Sequence, residues 1–172
     1  LSETWQASLG LSYGKTRELY TRETYTVANP TPSPQPEMVT DSSIWAVDLK
    51  FDGEVFDLPA GPLLAAAGAQ YRDEDFSLRR RDDPPLRTSN RSATAIFAEF
   101  QIPLVSDANS LLGIHRAEVN ISGRWDDYSD FGSTTNPKVG VLVSPFDGLN
   151  LRGSYSTAFS APSLGYAGAL DR

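Results

Sequence analysis

Few side chains in this sequence of 172 residues can do chemistry, and none stands in a pattern that does it. His115 is the only histidine and cysteine is absent. A general base needs a nucleophile or acid within reach, so a lone histidine without one reads as a structural or interfacial residue. Without cysteine, disulfides and thiolate metal sites are excluded. Asp126, Asp127 and Asp130 in DDYSDFG could gather carboxylate oxygens around calcium. They lack the glycine and glutamate spacing of an EF-hand, so an acidic turn is the expectation. Arg79, Arg80 and Arg81 could meet an anionic ligand through charge-assisted hydrogen bonds, although acidic residues flank the triplet on both sides. The tripeptides NRS and NIS match the glycosylation acceptor by chance, the second lying mid-strand. No catalytic triad assembles, and the expectation is a chain that is not an enzyme and holds no metal or cofactor.

What positions these residues is a repeated two-residue alternation, clearest over residues 111–162. Ala117, Val119, Ile121 and Trp125 share one parity, and Arg116, Glu118, Asn120, Ser122 and Arg124 the other. Successive side chains of a strand point to opposite faces, so one face is apolar and the other charged. Val139, Val141 and Val143 then oppose Lys138, Gly140, Leu142 and Ser144, and after SPFDG reverses the chain, Leu149, Leu151 and Tyr155 oppose Asn150, Arg152, Ser154 and Ser156. A soluble sandwich also alternates, but its inward face is filled from two sheets by Leu, Ile and Phe. Here the apolar face is thinner and suits a wall between lipid and water.

The rest of the chain repeats the pattern. Trp5, Ala7, Leu9, Leu11 and Tyr13 face one way. The two aromatics lie about 20 Å apart along the normal of a tilted strand, close to the apolar band of a transmembrane barrel. Trp45, Val47, Leu49, Phe51 and Val55 oppose Ala46, Asp48, Lys50, Asp52 and Glu54; Leu63, Ala65, Ala67, Ala69 and Tyr71 oppose Leu64, Ala66, Gly68, Gln70 and Arg72. Ile96, Ala98, Phe100 and Ile102 oppose Glu99 and Gln101. Residues 28–37 (ANPTPSPQPE) are proline-punctuated and expected to be a loop tip without a ladder. Residues 73–91 and the DDYSDFGSTTN stretch are expected to be long polar loops, and residues 57–62, 103–110 and SPFDG short turns. Long loops on one edge and short turns on the other are what outer-membrane barrels show.

Composition narrows the classes. No run approaches the roughly 18 apolar residues of a spanning helix, which does not exclude spanning strands of about 9–11 residues. A net charge of −7 argues against a nucleic-acid partner, which calls for clustered Lys and Arg. No basic-then-apolar leader opens the chain at Leu1.

RWDDYSDFGSTTNPKVGVLVSP followed by LNLRGSYSTAFSAPSL resembles the barrel of TonB-dependent outer-membrane receptors, whose members commonly carry a "YSDFG…NPK.G" hairpin and then an "LRGSYS.AFRAPSL"-like strand. Ser160 stands where the family often has Arg. LPAGPL..A.GAQYR at residues 58–72 and AIFAEFQIPLV at residues 95–105 are also similar to members of the family. The resemblance implies an outer-membrane protein for active uptake of a scarce nutrient such as a ferric siderophore, cobalamin or a saccharide. It also implies TonB and a plug domain as partners.

Both lines lead to an all-β fold, an antiparallel up-and-down meander of about seven strands across residues 1–172, a fragment of a large transmembrane barrel. The family's barrel has about 22 strands around a plugged lumen, so neither plug, signal peptide nor terminal barrel strand is expected in this stretch. Such a piece has two free edges and should self-associate through them. Arg116, Glu118, Asn120, Arg124, Lys138 and Arg152 would line the lumen, and Arg79, Arg80, Arg81, Asp126, Asp127 and Tyr128 would meet a small-molecule or metal-chelate ligand from external loops. The alternative is a soluble β-sandwich ligand-binding module. A barrel enzyme is a third reading, for which no triad can be found.

Overall fold

A computed structural model of the chain describes residues 5–26, 29–109 and 113–167. Ala28, Ser110, Leu111 and Leu112, which fall in the expected loop tip, the expected turn and the start of the alternating stretch, lie outside the described residues. The strands are β1 (Trp5–Tyr20), β2 (Glu23–Thr26), β3 (Asn29–Pro34), β4 (Met38–Leu58), β5 (Gly61–Arg80), β6 (Pro85–Val105), β7 (Arg116–Tyr128), β8 (Gly132–Phe146) and β9 (Leu149–Ser156), followed by a single helical turn, α1 (Leu164–Ala167). Seven of them form one sheet in the order β1-β4-β5-β6-β7-β8-β9, with β2 and β3 as a separate pair. This is the antiparallel meander that the alternation predicts, with β1 and β9 at its edges.

The chain divides into two compact units. The first comprises the described residues of 1–10, 47–71 and 93–160. Its register sets apolar against apolar on one face: Ile96 opposite Trp125, Phe100 opposite Ile121, Ile102 opposite Val119. Val119 and Ile121 then face Val141 and Val139, and Val139 and Val143 face Tyr155 and Leu151. The alternate positions carry the polar set, with Gln101 opposite Asn120, Ser122 opposite Lys138 and Gly140 opposite Ser154. A slip of one residue would exchange the faces of an entire strand, so this pairing is what the hydrophobic pattern specifies.

Among the described residues, the apolar face of this unit has no core behind it. Ile121 is 44% exposed and Val141 43%, and among the described residues no large side chain is fully buried. The buried apolar residues of this unit are small: Ala60, Ala93, Ala95, Val105 and Ala117. The sandwich alternative needs Val119, Ile121 and Val141 sealed against a second sheet, and the exposure of Ile121 and Val141 rules it out.

Two turns are as expected. Residues 59–60 join β4 to β5, and residues 147–148 join β8 to β9. The second is an Asp-Gly pair whose Gly148 has φ +88°, a conformation that a side chain disfavours and that matches the twist of a tight hairpin. The expected contrast of loop lengths fails elsewhere. The DDYSDFGSTTN stretch is no long loop, because β7 runs to Tyr128, β8 begins at Gly132 and Tyr128 pairs with Gly132. Asp126, Asp127 and Tyr128 are therefore strand residues. Polar composition suggested a loop, but a strand beyond a membrane band can be polar on both faces and still complete its ladder. Conversely, the link after β6 spans residues 106–115 rather than a short turn. Within it Asn109 accepts from the Ser106 amide at Oδ1 (2.8 Å) and donates from Nδ2 to the Leu104 carbonyl (3.1 Å), local bonds that stand in for a ladder.

The second unit comprises the described residues of 11–46, 72–92 and 161–172. Residues 73–91, expected as a loop, are mostly strand: β5 continues to Arg80 and β6 starts at Pro85, with residues 81–84 between. Arg79 and Arg80 thus lie on β5, and only Arg81 of the triplet is in the turn. Charge pairing across strands explains why so polar a stretch stays ordered. Asp41 accepts from Nε of Arg17 at 2.5 Å and lies 3.5 Å from Nε of Arg79, while Arg81 donates from Nη1 to Glu37 at 2.5 Å and from its amide to the Glu37 carbonyl at 2.8 Å.

The proline-punctuated stretch also forms a ladder, against expectation. β2 and β3 pair antiparallel with Thr24 opposite Ser33 and Thr26 opposite Asn29. Pro30, Pro32 and Pro34 share one parity, and an antiparallel pair takes its hydrogen bonds from every second residue, so three prolines so spaced need cost no ladder bond.

Candidate functional site

In the first unit the polar positions of β4–β9 converge on one face. Eight of its charged groups are tied down. Lys50 lies 3.0 Å from Asp52. Arg116 donates from Nε to Oε1 of Glu118 at 2.5 Å, and Glu118 also accepts from Nε2 of Gln101 at 3.4 Å. Asn120 donates from Nδ2 to Glu99 at 2.6 Å, while its Oδ1 is buried with no hydrogen-bond partner. Arg124 donates from Nε to Asp126 (2.8 Å) and from Nη2 to Oε1 of Gln70 (2.9 Å), and Gln70 in turn donates to Asp48 at 2.5 Å. That last chain crosses from β7 to β4, passing β6 where Phe97 opposes Arg124.

The six residues that parity assigns to a lumen, Arg116, Glu118, Asn120, Arg124, Lys138 and Arg152, therefore stand on one face. Glu118, Asn120, Lys138 and Arg152 border a single open cavity of about 460 Å³, and Arg116 borders a second of about 530 Å³ at the turn end. The six external candidates fall in different units, Arg79, Arg80 and Arg81 in the second and Asp126, Asp127 and Tyr128 in the first. Arg79 and Arg81 are engaged by Asp41 and Glu37 in the second unit. Asp126, 5% exposed, is held by Arg124 in the first.

The calcium reading of the aspartates loses its donor set, since Asp126 answers Arg124, and among the described residues no group of three or more His, Asp or Glu is arranged to hold a metal. His115 is likewise accounted for. Its Nε2 lies 3.2 Å from Asp107 and 3.0 Å from Asp147, so it ties the link after β6 to the β8–β9 turn, and its amide donates to the Ser144 carbonyl at 2.8 Å.

Several residues of this face carry no motif. Asp48, Gln70, Glu99 and Gln101 have the right parity, yet only the register shows that they complete the bonds of Arg124, Asn120 and Glu118. Phe97 breaks the polar pattern of its parity. Its ring lies across Gly68, where a Cβ would stand 2.5 Å from Cζ. At the far end of β7, Tyr128 stacks on Phe131 with centroids 4.3 Å apart, and Phe159 packs 5.2 Å from Phe131 and 6.2 Å from Tyr128. This trio pins the chain beyond β9 against the β7–β8 hairpin.

The second unit holds a comparable fastening. Arg87 donates from Nη1 to the Gly165 carbonyl at 2.7 Å and Arg91, buried, from Nη1 to the Pro162 carbonyl at 2.9 Å. A Cβ at Gly165 would meet the Phe76 ring at 3.4 Å.

A family model described as TonB dependent receptor-like, beta-barrel, matches residues 1–170. No curated protein matches the chain, and no solved structure does. A meander with one exposed apolar face and one hydrogen-bonded polar face, matched by that model over nearly its whole length, belongs to the TonB-dependent receptor β-barrel family.

Proposed function

We propose that the seven strands form part of the wall of a bacterial outer-membrane receptor, with the apolar face toward lipid and the polar face toward a water-filled lumen. The observation that carries this is the pairing of Val119 with Val141 and of Ile121 with Val139 on a face with no core behind it, while Asn120 and Gly140 pair on the other. Leaving such a patch in water is unfavourable, and lipid is the solvent that removes the cost. The edges β1 and β9 would pair with further strands of the same wall; left unpaired, they would pair between copies.

Membership of the family supports active uptake of a scarce nutrient, with energy delivered through TonB and a plug domain within the lumen. The nutrient class is a ferric siderophore, cobalamin or a saccharide. The polar face serves passage rather than catalysis, since most of its charges answer one another and, among the described residues, none forms a nucleophile–base pair.

Cysteine scanning tests this directly, because the chain has no thiol of its own. In the intact receptor in cells, Ile121→Cys and Val141→Cys should resist a membrane-impermeant maleimide, and Ser122→Cys and Ser154→Cys should react once the lumen is open to it. Equal labelling of the two sets would sink the proposal.

A further inference from the structure

In the first unit, Lys138 and Arg152 differ from every other Lys and Arg. Lys50, Arg116 and Arg124 each have a carboxylate partner, whereas among the described residues neither Lys138 nor Arg152 has one. They stand on neighbouring strands, β8 and β9. On the polar face the register runs Lys138 opposite Ser156, Gly140 opposite Ser154 and Leu142 opposite Arg152, so the two cations stand diagonally across the Gly140–Ser154 pair. Gly140 leaves the ground between them open: a Cβ there would have nothing nearer than 3.8 Å. Both cations and Ser154 border the cavity of about 460 Å³.

The two carboxylates that border this cavity have hydrogen-bond partners of their own. Glu118 serves Arg116 and Gln101, and Glu99 serves Asn120. What is left is a compact ammonium with three donors, a planar guanidinium fork and a hydroxyl, on a floor without a side chain. That donor set matches a carboxylate or phosphate group, which offers several acceptor oxygens and a negative charge.

We propose that Lys138, Arg152 and Ser154 form an anion-binding site that takes a carboxylate or phosphate group. The inference rests on the reading of this face as a water-filled lumen. The anion has two possible sources, an acidic side chain of a protein segment occupying the lumen or an anionic solute passing through it.

The experiment uses the intact receptor purified in detergent, with mass spectrometry at Lys138. If a protein carboxylate occupies the site, a carbodiimide should join Lys138 by an amide bond to an Asp or Glu outside residues 1–172. If a solute does, phosphate or citrate should slow acetylation of Lys138 by about tenfold, the scale of one charge-assisted hydrogen bond, and glucose should leave it unchanged. In either case Arg152→Gln and Gly140→Asp should abolish the effect, the second by placing a carboxylate of the chain between the cations, and Arg152→Lys should retain part of it. Neither cross-link nor protection, or an effect indifferent to Gly140→Asp, overturns the proposal. Thiol labelling at positions 154 and 141 scores the lumen reading separately, so that loss of the anion site alone can be told from loss of both.

Discussion

The ring of Phe97 on β6 lies across Gly68 on β5 so closely that a Cβ at Gly68 would stand 2.5 Å from Cζ and 2.5 Å from the carbonyl oxygen of Leu49. Gly68→Ala should therefore destabilise the wall by about 1–3 kcal/mol, the usual cost of overpacking. Adding Phe97→Ala should recover only part of the loss, because the ring is removed but the Leu49 backbone is not. Unfolding midpoints of the intact receptor in detergent measure both. An unchanged midpoint for Gly68→Ala would contradict the contact.

Arg124 connects Asp126 to Gln70, and its removal would leave a carboxylate that is 5% exposed without its cation. Arg124→Ala should cost roughly 1–3 kcal/mol, less than a fully buried pair would, because 39% of the arginine side chain is exposed. Arg124→Lys should fall between, keeping the charge but losing the fork that serves two partners at once. In a double-mutant cycle with Asp126→Ala the losses should be less than additive. Additive losses would mean that the two side chains do not act as a pair.

The two faces should respond oppositely to the same substitution. Val141→Arg places a charge on the apolar face and should cost about 2–4 kcal/mol in lipid. Ser156→Arg on the polar face should stay within about 0.5 kcal/mol. Reversible unfolding in vesicles compares them, and similar costs would deny the apolar face its lipid contact.

In the second unit the carboxyl of Asp41 is held below its ordinary value of 3.8, chiefly by the hydrogen bond from Arg17, against some desolvation and with help from the Arg17 charge and from Arg79. It precedes the apolar stretch of β4 that opens at Trp45. A carboxylate whose folded pKa is depressed adds stability above its unfolded pKa and loses it as pH falls through the folded value. Hydrogen exchange of residues 38–44 should thus be slower in the native protein than in Asp41→Asn at pH 6. The two should converge once the pH is well below 3.8. A difference that persists in acid would assign the protection to something other than this ion pair.

Phe159 joins the stack of Tyr128 and Phe131 from beyond the end of β9. Each aromatic pair adds about 0.5–1.5 kcal/mol beyond area burial. Phe159→Ala should free residues 158–160 while the Thr157 amide keeps its 3.1 Å bond to the Pro137 carbonyl. Limited proteolysis should then cut just after position 157 and leave the β7–β8 hairpin intact. Cleavage in the hairpin instead would show that the stack holds more than the tail.

The number of strands in the sheet, their faces and two of their turns could be read from the chain alone, because strand side chains alternate strictly and one face here is apolar at nearly every position. Val119, Ile121 and Val141 needed only parity to be placed. Strand length could not be read in this way. Residues 73–80 and 126–128 are polar on both parities, so no alternation marks them, and it is Arg79 meeting Asp41 across strands and the β7–β8 pairing to Gly132 that make them strand. The polar face shows the same division. Parity puts Arg116, Arg124, Lys138 and Arg152 on one side. The carboxylates that answer the first two, Glu118 and Asp126, stand two residues further along the same strand. Only the tertiary structure, by seating Gln70 of β5 against Arg124 and leaving Lys138 and Arg152 without a carboxylate partner among the described residues, decides which charges are neutralised and which are left to hold something else.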